Sequence, residues 1–322
     1  MIMRLLKLDP RPPAYDSVVE ATLDEEAAKV VDDAVEMATW RALAPERPAT
    51  IPRIVFVDGV QQLEARVSAE GEGWPTPGIV ASIAAGAICP SNGAAVLHAQ
   101  VERRIILANG RQPSPLSIQA QSGVFHYRPT ASAGDDPNGL QMTLGDLRAR
   151  LETEVVREIL DEGADLVVVD GRLPPVTASN AVGLIKTPHR LPLTSDEHVD
   201  VLMRLKTGER SPVFTRQRSS RKFYSWFICL RTPAAGDLAS SGLALLEMDD
   251  TTPAAEAFRV ADITASVLPS YASTPVRDAR APQNLLPVGQ LERQLRHRLG
   301  DPELRLRLLR RAFAKEQPAW QD

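Results

Sequence analysis

The stretch TLGDLRARLETEVVREILDEGADLVVVDG, residues 143–171, decides the fold. Leu144, Leu147, Leu151, Val155, Ile159 and Leu160 fall on one face at helical spacing, Thr143 with Asp146 takes the capping position, and Gly163 supplies a stop. The period then changes. Leu166 to Val169 is a continuous apolar run of the kind buried on both faces of a sheet, and it stops at Asp170-Gly171. A helix leading straight into such a strand predicts an α/β chain, because a helical crossover commonly returns a parallel strand to its sheet.

Working outward, Arg53 to Val57 is a β-branched run that stops at Asp58-Gly59, and Leu63, Ala65 and Val67 alternate after it as a second strand. Gly78 to Ile88 and Ala94 to Leu107 supply two more. Asn109 to Asn138 reads as loop with a short strand near Val124 to Tyr127. Beyond Asp170 the pattern predicts strands at Ala181 to Lys186, Val213 to Thr215, Phe223 to Arg231 and Leu243 to Met248. Helices are predicted at Asp196 to Leu205, Ala254 to Leu268, Asn284 to Leu299 and Pro302 to Lys315. Residues 15 to 44, with Val18, Val19, Leu23, Ala27, Val30, Val31 and Ala34 at helical spacing, predict an amphipathic N-terminal helix. Three parts follow: a helical segment and linker over 1–50, a main domain over 51–300 and an Arg-rich helix over 301–322.

The 322 residues carry 37 Lys plus Arg against 41 Asp plus Glu, a net charge of −4, with 43% hydrophobic residues. Such a composition excludes disorder over most of the chain and suits one large domain or two smaller ones. The 26 prolines exclude a coiled coil. Cys89 and Cys229 lie far apart in apolar surroundings, so neither a disulfide framework nor a cysteine zinc site is available. The longest low-polarity run, Gly78 to Cys89, is about half a membrane span, and Met1 to Arg11 has no apolar signal core before Asp9 and Pro10. The expectation is a cytoplasmic protein with no membrane partner.

Two strands end in the same tripeptide, Val57-Asp58-Gly59 and Val169-Asp170-Gly171, which places two carboxylates at the edge of a central sheet. Asp-Gly is a common turn dipeptide, which gives each site a structural reading. The chemical reading is that a carboxylate losing its water needs a partner, and a divalent cation is one such partner. Glu152 lies about 15 Å back along its helix from Glu162 at 1.5 Å per residue, and the strand to Asp170 returns about 16 Å at 3.3 Å per residue. Glu152 and Asp170 therefore finish at a similar height. Glu154 and Glu158 are competing acids on the same helix.

These acids carry a resemblance. Phe56 to Gly59 after a strand, Leu151-Glu152 on a helix ahead of Leu166 to Leu173, then Val182 to Lys186 and a C-terminal Tyr271 segment resemble the NurA nucleases, whose core is similar to the ribonuclease H fold. The resemblance runs from Asp58 to Asp278. It implies a mixed sheet flanked by helices, and Asp58, Glu152 and Asp170 as ligands of catalytic Mn²⁺ or Mg²⁺, two ions in all. It further implies a 5′ to 3′ exonuclease and single-strand endonuclease of DNA end resection and repair. The family pairs its tyrosine with a histidine a few residues on; here no histidine follows Tyr271 until His297, and Asp278 is the nearby candidate for a fourth ligand. The partners implied are DNA, a second copy of the chain, and a hexameric HerA-type ATPase that translocates DNA. Lys186 is either a phosphate contact or a strand-end surface lysine.

Two basic clusters bear on nucleic acid. Arg216, Arg218, Arg221 and Lys222 beside Phe223, Tyr224 and Trp226 read either as a single-strand binding surface or as a charged hairpin turn over core aromatics. Arg293, Arg296, Arg298, Arg305, Arg307, Arg310 and Arg311 read as a solvated helix face or a docking surface. The rival functions are a catalytically inactive DNA-repair subunit that keeps the fold, and an actin-like phosphotransferase. The phosphotransferase needs Gly-rich phosphate loops that residues 58–61 and 170–173 do not supply.

Overall fold

A computed structural model of the chain describes residues 6–8, 29–70, 74–92, 95–120, 123–186, 192–193, 195–234, 240–274 and 282–316. Among them the chain runs β1 (Leu6–Leu8), β2 (Lys29–Asp32), β3 (Ile54–Ala69), β4 (Thr76–Cys89), β5 (Ala95–Leu107), β6 (Leu116–Ala120), β7 (Gly123–Ala131) and α1 (Pro137–Asp161). It continues with β8 (Leu166–Asp170), β9 (Ala181–Ile185), α2 (Asp196–Arg204), β10 (Phe214–Arg218), β11 (Arg221–Cys229) and β12 (Leu243–Asp249). Helices α3 (Ala254–Val267), α4 (Leu286–Leu299) and α5 (Pro302–Glu316) follow.

The strands form one mixed sheet in the order β2-β10-β11-β12-β9-β8-β3-β4-β5-β7-β6, with β1 paired to the far end of β3. β3, β4 and β5 are an antiparallel meander. α1 then crosses the sheet and returns β8 parallel to β3, Ile54 opposite Leu166 through Val57 opposite Val169, and β9 continues parallel. α1 is started by Asp136, which accepts from Gly139 N at 2.7 Å, and by Pro137 in its first turn; it stops at Gly163, φ 74°. The start therefore lies before Thr143, whose hydroxyl instead donates to Gly139 O at 2.9 Å within the helix.

The helices cover both faces. Leu144, Leu151, Val155 and Ile159 of α1 pack on Val55, Val57, Val167 and Val169. On the other face Val260 and Ala261 of α3 and Val288, Leu291, Leu295 and Leu299 of α4 pack on Ile54, Phe56, Val168 and Leu246. α5 buries Leu309 and Phe313 against Val80, Ile105, Ile118 and Tyr127. Both C-terminal helices thus bury an apolar stripe beneath their arginines.

Three local expectations are overturned. No turn occurs at Asp58-Gly59: β3 runs straight through them, with Asp58 opposite Gly86 and Gly59 opposite Ala85. The small residues of β4 continue the ladder past Gly59, its register shifting only between Leu63 and Ala65, and a continuing ladder overrides a dipeptide's turn preference. Residues 29–44 do not form a helix: Lys29–Asp32 is an edge strand on β10, because β-branched Val30 and Val31 can complete that edge. The rest of the predicted N-terminal helix, residues 15–28, lies outside the described residues. Leu116–Ala120 and Gly123–Ala131 form a hairpin where loop with one short strand was expected.

Candidate metal centre

Strand alternation sorts the side chains around the β3/β8 pair. Phe56 and Val60 pack on the α4 side and Val55 and Val57 on the α1 side, so Asp58 shares the α4 face and Gly59 turns to α1. Asp58 is 6% exposed in mid-strand, and Asp170 is the last residue of the neighbouring β8, on the same face as Val168. The chain turns away after it through Gly171, φ 109°.

Opposite Asp58, Gly86 has no side chain. A Cβ there would stand 2.6 Å from His98 O and 3.0 Å from Leu295 Cδ2. The absent methyl lets α4 settle on the sheet through Leu291 and Leu295, and Glu292 between them reaches the aspartates. Ligand oxygens of Asp58, Asp170 and Glu292 all lie within 4.8 Å of one another. Glu292 was not among the residues singled out from sequence. The signal available was that it is the one acid of α4, flanking that helix's apolar stripe.

Glu152 comes from α1 on the other face and lies over Gly59, where a Cβ would be 2.2 Å from its Oε1. Its side chain is 14% exposed, and Arg148 Nε stands 3.4 Å away. Burial pushes the Glu152 carboxyl up to about 7, Arg148 opposes this, and Asp170 adds to it. Burial likewise holds Asp58 well above the usual carboxylate range. Asp170, Glu152 and Glu292 push it the same way and Lys186 opposes them.

Lys186 projects into the site. Its Nζ donates to Asp170 Oδ2 at 2.5 Å and to Asn284 Oδ1 at 2.7 Å, tying β9 to the residues just ahead of α4. Tyr271 packs edge-on against Phe56 with ring centroids 5.2 Å apart. Burial and nearby Cys89 raise its hydroxyl, while Arg47 opposes them. It thereby packs on the strand that carries Asp58. Asp278 lies outside the described residues.

No protein-family model and no curated protein matches this chain. No described helix is long and apolar enough to cross a membrane.

The basic run on β10 and β11 has a structural occupation. Glu247, fully buried, accepts from Arg216 Nη2 at 2.9 Å, from both terminal nitrogens of Arg218 at 3.2 Å and from Leu173 N at 2.9 Å. Arg221 pairs with Asp249 at 3.0 Å, and Arg218 and Arg221 both lie over the Phe223 ring. Phe223 and Trp226 are fully buried, so they offer no stacking face to a base. Glu247 also fixes the turn that follows Asp170 through Leu173. Glu247→Ala leaves two guanidiniums without their carboxylate and is expected to cost about 3–5 kcal/mol, read as a lowered urea midpoint.

Proposed function

We propose that this chain is a divalent-metal-dependent nuclease that hydrolyses DNA phosphodiester bonds. One observation carries the reading: Asp58, Asp170 and Glu292 converge within 4.8 Å from three separate elements. Within that group Asp58 is buried and has no hydrogen bond or ion pair among the described residues. Buried like charges need a cation, and hard oxygen donors in this number suit Mg²⁺ or Mn²⁺. The residues present therefore fit the metal, with Asp58, Asp170 and Glu292 as its holders; Glu152, over Gly59 on the other face, stands outside that group of oxygens. When bound, two such ions supply an activated water and stabilise the leaving oxygen. Glu152, titrating near 7, can take up a proton at neutral pH, and the Lys186 ammonium can bind a phosphate oxygen. An antiparallel meander, a helical crossover and two further parallel strands support a ribonuclease H-like core.

A second reading rests on Lys186, whose ammonium already neutralises Asp170. On that reading the cluster is an internally balanced relic and the chain an inactive DNA-repair subunit. Calorimetric titration with MnCl₂, paired with digestion of single- and double-stranded DNA, separates the two. Expected are saturable Mn²⁺ binding and chelator-sensitive digestion, both lost in Asp58→Ala. A chain that binds no Mn²⁺ favours the inactive subunit. The expected assembly is a homodimer working with a HerA-type hexameric translocase. Stimulation of digestion by the motor with ATP tests that partner, and sedimentation at micromolar concentration tests the dimer.

A further inference from the structure

We infer that the exposed arginine face of α4 is the track along which a nucleic-acid strand reaches the carboxylates, held by its phosphates without contacts to its bases. This rests on the nuclease reading of the neighbouring site. Val288, Leu291, Leu295 and Leu299 turn α4 onto the sheet, and Arg293, Arg296, His297 and Arg298 remain exposed. The side chains of Arg293, Arg296 and Arg298 make no hydrogen bond or ion pair among the described residues. Elsewhere Arg210, Arg216, Arg218 and Arg221 are committed to carboxylates. Uncommitted positive charge on a chain of net charge −4 is a local field with a direction.

Gln290, Arg293, Gln294, His297 and Arg298 line a groove of about 470 Å³. No carboxylate is among these lining residues. Position decides what the groove serves. At 3.6 residues per turn Arg296 follows Glu292 on the same flank of α4, about 6 Å along the axis, and Arg293 lies next to it around the helix. A chain with one phosphate at the carboxylates therefore continues over Arg296 and Arg293. The carboxylates alone repel a polyanion, so a neighbouring cationic face is what brings one there. The arginines spread over more than one helical turn, which suits a polymer better than a single phosphate. Apart from the His297 imidazole the groove has no aromatic side chain, so phosphate contacts dominate and binding is blind to sequence.

The test is fluorescence anisotropy of labelled oligonucleotides of two unrelated sequences with the full chain in EDTA, where hydrolysis is stopped. The triple variant Arg293→Gln/Arg296→Gln/Arg298→Gln is expected to lower affinity about tenfold or more and to flatten the salt slope by about 2. Both sequences should be affected equally, while calorimetric Mn²⁺ binding stays unchanged. Arg307→Gln/Arg311→Gln on α5 should keep the original slope. A triple variant with unaltered affinity and slope, or an α5 variant that loses as much, overturns the track. Sequence-dependent affinity overturns phosphate-only binding. Oligonucleotide binding that the triple variant loses, in a chain that never hydrolyses DNA with Mn²⁺, supports the track and removes the nuclease reading instead.

Discussion

Asp58→Asn is expected to lower Mn²⁺-dependent DNA hydrolysis by more than about a hundredfold, and yet to make the metal-free protein more stable at pH 8. The two effects share one cause. Asp58 is buried against Asp170, Glu152 and Glu292, so its ionised form is held in the fold at a cost. Glu152 shows the sign. Its folded value of about 7 stands above its ordinary 4.5, so between these values the folded chain keeps a proton that the unfolded chain has released. Stability therefore falls as pH rises from 4.5 to 7, by about 3 kcal/mol for a displacement of this size. An amide at position 58 removes one repelling charge from this group. Thermal unfolding in EDTA at pH 8 should show Asp58→Asn melting several degrees above the parent. With MnCl₂ the parent should rise and the variant should not, because a ligand stabilises only the state that binds it. A variant that loses stability in EDTA, or that still gains from Mn²⁺, removes Asp58 from the site.

Gly59→Ala should cost about a tenfold to hundredfold loss of hydrolysis while leaving the fold intact. Gly59 does not need glycine for its backbone, since its φ is not positive. It needs glycine because Glu152 occupies the place of the Cβ, with Oε1, Cγ and Cδ at 2.2, 2.8 and 2.9 Å. The clash is with the outer part of a flexible side chain, so Glu152 moves and the strand does not. Far-ultraviolet dichroism and melting temperature close to the parent, with depressed hydrolysis, is the expected pattern. Undiminished hydrolysis would place Glu152 outside the reaction.

The same glycine shows where sequence reading succeeds and where it stops. Asp58-Gly59 and Asp170-Gly171 are one dipeptide in two environments. At Asp170 the strand ends and Gly171 turns at φ 109°, as read. At Asp58 the neighbouring β4 prolongs the ladder, and nothing local to Asp58 signals it. The α1 to β8 unit was legible because its apolar periods are long and change abruptly at Gly163. Placing Glu152 level with Asp170 needed only the rise per residue, and the two carboxyls do influence each other. Glu292 was passed over because its partners are far away in sequence and it is a single acid on an Arg-rich helix. The arginines and aromatics of β10 and β11 fit two readings equally until burial is known, since Glu247, which collects Arg216 and Arg218, lies on another strand. Asn284, which receives Lys186, was equally hidden.

The three converging carboxylates also set an order in time. Asp58 and Asp170 sit on adjacent strands of the central sheet, whereas Glu292 belongs to a helix near the end of the chain. Synthesis proceeds from the N-terminus, so the sheet can pair before α4 has been made. Until α4 docks at Gly86, two aspartates face an uncovered surface without their third partner. The cluster is thus complete only once α4 has packed on the sheet, and a nascent or truncated chain that ends before α4 lacks the third carboxylate of the site.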